Sequence, residues 1–549
     1  MKRSSKEEYT GGALYEKTLS NYSATDWHFV AQVVLIFVAY LAFDCGRCVS
    51  NHFFFTKQMD SNSTSCAGEI VSSIANIPRE HWADDLTGKT TSKANVKRFT
   101  SLTIFNVLCA YGSLFSLVFY VGRRLGFSWY LCCSASIAGM GCIMIVIYKV
   151  YSVLISGFFF NLSEKAFQIT LCVLAAECGP RKVRDAVILV IAVASALARL
   201  FAAVPLVMLD TNRLEFIALI GGYAVLMIAS GILCDDSIIS LIFCEKPLVL
   251  TAVIDNLNKR NRGAEVNSEK FYKEILYTGI IIEPATTHGI VAKMLKNSAW
   301  IRHYLFVYLA YVLAPRHHNE ELLSFTAVNF IGVHPKTDAH MLDATLNVLG
   351  VLLFASIFAL IGRHRTVHAA LLGLVAGHLM LVWPADLKPV AGCDGIEHPA
   401  ILSSTVMNVI YLTTEIVMEG AMNIIFATTF VEIAERVPIR PRLAVVAVVL
   451  TSAMPLHFLL ATLELHLSKI HNGSTLYYHA GRAILWAFLY FLYNAFRDAP
   501  QATITLDDHL IAFGSRSGNR EHFVQQQALH TESELDLHTA GRDTDLAHG

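Results

Sequence analysis

Two short polar turns recur in this chain at matching places. Glu177-Cys-Gly-Pro-Arg-Lys-Val-Arg184 separates two long apolar runs, and Glu435-Arg-Val-Pro438-Ile-Arg-Pro-Arg442 does the same later. Both carry Glu, then Pro three residues on, then Arg seven residues on. A second pair, Gly122-Arg123-Arg124 and Gly362-Arg363-His364-Arg365, precedes them in the same order. Two ordered turns, each repeated once, predict an internally duplicated membrane protein. Glu177 falls in the last turn of one helix and Arg184 in the first turn of the next. Neither charge suits the helix dipole there, so both need partners. The arginines of the Gly-Arg turns are the nearest candidates. Such a network forms in one conformation and breaks in another, whereas positive-inside anchoring alone would need only the arginines.

The stretches between the turns are apolar runs near spanning length, about 20 residues each. Over 549 residues, 54% are hydrophobic and 16% charged. That balance excludes an ordinary multidomain soluble chain. A formal net charge of −1 gives no basic field for nucleic acid. The first 26 residues are polar and the first apolar run is too long for a signal-peptide core, so no cleavable leader is expected. Twelve cysteines are scattered through the chain, and most read as small buried hydrophobes. For the close pair Cys45 and Cys48, a disulfide to Cys66 or Cys393 is the expectation; the pairing is open.

Residues 1–26 read as a cytoplasmic tail and 27–234 as a first six-helix half, with a long extracellular segment at 46–98. Residues 235–298 read as a cytoplasmic linker, 299–497 as a second six-helix half, and 498–549 as a disordered cytoplasmic tail. The predicted spans start near residues 27, 99, 127, 152, 186, 214, 299, 341, 366, 401, 443 and 479. The fold expected is an all-α polytopic membrane protein with about twelve transmembrane helices in two six-helix halves. The basic turns all fall on one side, which the positive-inside rule makes cytoplasmic. Asn62 and Asn472 head Asn-x-Ser/Thr acceptors and fall on the other side, as glycosylation requires. Both termini are then cytoplasmic, and the plasma membrane is the expected location.

Ionisable groups at membrane depth are costly and mark function. Glu164 and Lys165 lie midway along span four, Arg199 in span five, and Asp343 near the outer end of span eight. Glu415 and Glu419 sit one turn apart in span ten, hence on one face. Two carboxylates so placed predict a proton, a bound cation or Arg199 as neutraliser. Tyr308 and Tyr311 in span seven offer aromatic faces to an organic cation, as do Phe158, Phe159 and Phe160 in span four. His368, His378 and His457 read as packing residues. His317, His318, His334 and His340 lack metal-ligand spacing, so no metal is expected.

These spans and paired turns resemble the major facilitator superfamily. The long first outward loop with its acceptor asparagine, and Asp236-Ser237 after span six, resemble the organic cation/anion transporter branch of solute carriers. The chain departs from that pattern at Phe119 and Tyr120, where the family carries Asp-Arg ahead of Gly-Arg-Arg. The resemblance implies alternating access, with substrate near the midplane between halves. It makes Arg123, Arg124, Glu177, Arg184, Arg363, Arg365, Glu435 and Arg442 the gating charges.

The expected function is a membrane transporter of a small organic cation or anion, embedded in the lipid bilayer and drawing on protons or another coupling ion. Substrate-binding candidates are Glu164, Lys165, Arg199, Tyr308, Tyr311, Glu415 and Glu419. A sugar-porter-like carrier of neutral solutes, and a non-transporting receptor or scaffold, are the alternatives. No cofactor is expected. An enzyme is not, since no nucleophile elbow, metal-ligand helix or phosphate loop stands in plausible context.

Overall fold

The computed structural model describes residues 27–55, 107–108, 111–117, 126–147, 150–179, 181–208, 213–234, 237, 247–260, 301, 305, 308–309, 311–313, 338–387, 404–435, 437, 439–468 and 474–495. Regular structure among them is helical. The long helices are α1 (Trp27–Phe55), α2 (Phe127–Ile147), α3 (Val150–Glu177), α4 (Arg181–Met208), α5 (Arg213–Leu233), α6 (Pro247–Arg260), α7 (Asp338–Ile361), α8 (Arg363–Leu387), α9 (Ser404–Glu435), α10 (Ile439–Ser468) and α11 (Ser474–Ala495). A helix satisfies its backbone groups internally, which lipid demands. At about 1.5 Å per residue, all but α6 are long enough for a hydrocarbon core of about 30 Å. Stretches within α1, α2, α4, α7 and α9 meet both the length and the hydropathy that spanning requires. Val225, Ile232, Leu233, Leu349, Leu352, Leu360, Leu372 and Leu379 are exposed. Lipid makes such apolar exterior stable where water would not.

The helices pack as two groups with matching neighbours. In the first, α2 lies against α3 and α5, and α1 against α4 and α5. In the second, α8 lies against α9 and α11. Across the groups, α3 meets α9 and α10, and α4 meets α7 and α9. Cys172 of α3 donates its thiol to the Phe430 carbonyl of α9 at 2.8 Å, 258 residues away. The same spacing separates Glu177 from Glu435 and Arg184 from Arg442. Positions related by the repeat therefore touch each other, which places the relating axis between α3 and α9.

Glycine sets the closest approach. A Cβ on Gly420 of α9 would strike the backbone of Gly350 on α7, and one on Gly350 would strike the Ile416 carbonyl. Gly362 between α7 and α8 adopts φ 79°, a left-handed conformation that glycine reaches without a Cβ penalty. Its N–H still bonds the Phe358 carbonyl at 2.9 Å.

The largest departure from the sequence reading is at α1. The first span was expected to stop near Cys45, yet the helix continues to Phe55. Cys45-Gly-Arg-Cys48 is therefore helical. Cys45 is a buried thiol contacting the Ala198 carbonyl at 3.6 Å, so the expected disulfide is not formed there. Residues 1–26, most of the 46–98 segment, the bulk of the 235–298 linker and 498–549 lie outside the described residues, as do Cys66, Cys393, His317, His318 and His334.

Candidate functional site

The repeated turns close one end of the interface between the groups. Each turn first secures itself. Arg184 donates to the Gly179 carbonyl at 3.4 Å, and Arg442 donates through Nε to the Val437 carbonyl at 3.1 Å. Each arginine thus folds back five residues and meets a carbonyl near a helix C-terminus, where a cation is favoured.

The two turns are then joined across the groups. Arg442 Nη1 meets Glu177 Oε1 at 2.9 Å, while Arg184 Nε meets Glu435 Oε1 at 3.1 Å. The glutamate of each turn is thereby held by the arginine of the other. Ser237 donates to the second oxygen of Glu177 at 2.7 Å. Arg363, at the start of α8, reaches Glu435 at 2.9 Å, Glu432 at 3.2 Å and Asp185 at 3.8 Å. Arg442 and Glu177 are 2% and 4% exposed, so loss of either would strand a buried charge. Burial pushes the Glu177 carboxyl above the usual carboxylate range, against the Arg442 guanidinium and the Ser237 hydroxyl, which pull it down.

A second polar level lies further along α4 and α9. Fifteen residues separate Arg184 from Arg199, about 22 Å along a helix. Arg199 Nη1 bonds Glu419 Oε2 at 2.7 Å, again joining the groups, and the Glu419 side chain is fully buried. With the Asn347 amide oxygen turned to the guanidinium, it accepts from Nη1 at 2.9 Å and from Nε at 3.3 Å. The charged donor favours that orientation. Asn423 donates to the Glu419 carbonyl at 2.8 Å. Glu415, one turn back on α9, is buried as well.

The first group also carries charge. Lys165, 1% exposed, meets Gln168 Oε1 at 2.9 Å and Glu164 at 3.8 Å, and Gln168 donates back to Glu164 at 2.9 Å. Lys165 lies two turns before Cys172, so it shares the α3 face that meets α9. On α1, Asp44 binds Arg47 at 2.6 Å and accepts from Ser195 at 2.9 Å.

The sequence candidates therefore divide. Glu177, Arg184, Arg363, Glu435 and Arg442 come together at the turn end. Arg199 and Glu419 pair, Glu415 stands beside them, and Glu164 and Lys165 form their own pair. Tyr308 shares a hydrogen bond with Ser452 at 3.2 Å. Tyr311 is fully buried, its ring T-shaped to that of His457 with centres 6.0 Å apart. His378 Nδ1 lies 2.8 Å from the Leu374 carbonyl and His368 stacks on Phe491, both packing contacts. Arg365 is exposed on α8 and makes no ion pair among the described residues. Arg123, Arg124, Asn62 and Asn472, and the Asp343 side chain, lie outside the described residues.

Glu432, Asp185, Asn347 and the Asp44–Arg47 pair are absent from the sequence candidates, where Ser237 figures only in a family motif and Asn423 has no role. Glu432 and Arg47 lay just past assumed span ends. The repeat spacing, had it been carried along the spans, would have flagged Asn423, which sits 258 residues after Lys165.

No protein-family model matches this sequence, and no curated protein matches it. Solved structures do match in fold. The proton:xylose symporter XylE of the major facilitator superfamily, bound to 6-bromo-6-deoxy-D-glucose, aligns at TM-score 0.59 and 12% identity over 88% of this chain and 98% of its own. A partially occluded inward-open XylE from E. coli aligns at TM-score 0.53 and 12% identity over 85% and 97%. A bacterial homologue of the iron transporter ferroportin, outward-facing, aligns at 0.51 and 11% identity over 84% and 99%. The chain has the major facilitator fold.

Proposed function

We propose that this chain is a membrane carrier that moves a small organic ion by alternating access between its two helix groups. The observation that carries this reading is the exchange of partners between the repeated turns, Glu177 with Arg442 and Arg184 with Glu435. Neighbours within one rigid group would need no such cross-bonding. Ion pairs joining two separately packed groups can be broken and remade as the groups rock. The turn end is cytoplasmic in this reading and both termini lie inside the plasma membrane.

The cargo follows from the charges along the spans. Asp44 pairs with Arg47, Glu164 with Lys165 and Glu419 with Arg199. Glu415 is a second buried carboxyl one turn from Glu419 on α9, and two carboxyls so placed favour a cation or a proton over an anion. A neutral solute is the second reading, favoured because Arg199 and Lys165 already have protein partners.

The test is uptake into liposomes holding the purified protein, with labelled organic cations, organic anions and sugars, at two external pH values. Saturable cation uptake supports the proposal. Uptake of sugars alone supports the second reading. Ligand binding without flux would make the chain a receptor or scaffold.

A further inference from the structure

The turn-end pairs are duplicated, but the Arg199–Glu419 pair is not. Carried forward by the repeat spacing, Arg199 corresponds to His457 and Glu419 to Asn161. His457 packs on Tyr311 and Asn161 bonds the Gly157 carbonyl of its own helix. Closure alone would be served by a second pair, as at the turns. The single pair has a different construction. Two acceptors from the second group face the Arg199 guanidinium: Glu419 Oε2 from α9 and the Asn347 amide oxygen from α7. The receptor is backed by Asn423, which holds the Glu419 backbone, and by the Gly350–Gly420 crossing, which fixes α7 against α9. Its occupant comes from the first group.

We propose that Asn347 and Glu419 form a receptor for a planar guanidinium or amidinium cargo, and that Arg199 is the built-in competitor for it. This rests on the carrier reading above. Separation of the groups withdraws Arg199 and leaves a buried carboxylate without its cation, which is costly in a membrane interior. An incoming cation with two or more in-plane donors restores the lost bonds: one to the Glu419 carboxylate, one to the Asn347 oxygen. Glu415, one turn away, is a second buried carboxyl beside the receptor. A spherical ammonium satisfies the carboxylate but lacks the fork that reaches both acceptors. Return of Arg199 then evicts the cargo, so closure and release are one event.

The test is thermal unfolding of the purified full-length protein with methylguanidinium, methylammonium or sodium, each as chloride at equal millimolar concentration. Arg199→Ala should unfold several degrees below wild type. Methylguanidinium should recover more of that loss than methylammonium or sodium, and should shift wild type less. Arg199→Ala combined with Glu419→Gln should lose the recovery. Should Arg199→Ala fail to purify, yield from membranes extracted with and without methylguanidinium is the same readout: selective rescue supports the proposal. Equal rescue by methylammonium, no rescue, or rescue that survives Glu419→Gln overturns it. Selective rescue without flux in liposomes would keep the receptor and remove the carrier. Flux without rescue would do the reverse.

Discussion

Glu177 and Arg442 are 265 residues apart in sequence and 2.9 Å apart in the fold. Each belongs to a turn whose other charge reaches back across the same boundary, so the two copies of the turn exchange partners. A mutation at either site should therefore be felt through the other.

Arg442→Ala leaves Glu177 buried beside Ser237 with its cation gone. A cost of about 3–5 kcal/mol is expected in the closed arrangement. Glu177→Gln with Arg442→Ala should recover a measurable part of that loss, because no unpaired charge remains. Thermal unfolding of the four-member cycle measures the coupling. Additive losses would mean that the two residues act independently.

A pH dependence follows from the same carboxyl. Burial raises Glu177 above the ordinary carboxylate value in the closed arrangement, whereas solvation on opening returns it toward that ordinary value. The closed form thus binds its proton more tightly. Closure gains as pH falls from the raised value toward the ordinary one, and that gain is lost as pH rises through the raised value. Cys172 and Cys178 are buried at this level. Their alkylation, compared with that in Glu177→Gln at each pH, should show protection of the native protein increasing toward acid. Identical pH profiles in the two proteins would remove Glu177 as the titrating group.

The Gly350–Gly420 contact leaves no room for a side chain. Gly420→Ala should push α9 off α7 and lower the unfolding temperature by several degrees. It should also weaken the Arg199–Glu419 pair, since Glu419 is the adjacent residue. Gly481→Ala, where nothing lies within 4 Å, is the matched control and should be close to neutral. Equal effects at both glycines would mean that the crossing is not tight.

Much of this arrangement was legible in the residues, and the reasons are physical. Apolar runs and Gly-Arg turns locate helices because lipid permits few other structures. The Glu-x-x-Pro-x-x-x-Arg repeat located the turns and implied that their charges need partners. The Gly-Arg arginines were its nearest candidates, which holds for Arg363 with Glu435 but not for the exchange of Glu177 with Arg442 and Arg184 with Glu435. The exchange between copies depends on a rotation relating the halves, which no local pattern encodes. Arg47 was hidden because a helix that continues past an apolar run looks like a loop in hydropathy. Asn347 was hidden because a neutral amide in a span resembles any other packing residue until Arg199 is seen against it.

Topology has its own check. With the turns cytoplasmic, Asn62 and Asn472 face the glycosylation machinery. Glycosidase treatment should shift the wild-type band, and Asn62→Gln should remove part of that shift. A terminal epitope tag that labels on intact cells would invert the orientation.

The most direct test of the central claim is a distance between the groups at the turn end. Lys182 on α4 and Arg365 on α8 are exposed on opposite groups, so spin labels at Lys182→Cys and Arg365→Cys leave the ion pairs intact. Pulsed dipolar spectroscopy in lipid should give two distance populations, with Arg184→Ala or Arg442→Ala shifting weight to the longer one. A single short distance, unchanged by either substitution, would show that these charges fasten a fixed interface and that the two groups do not rock.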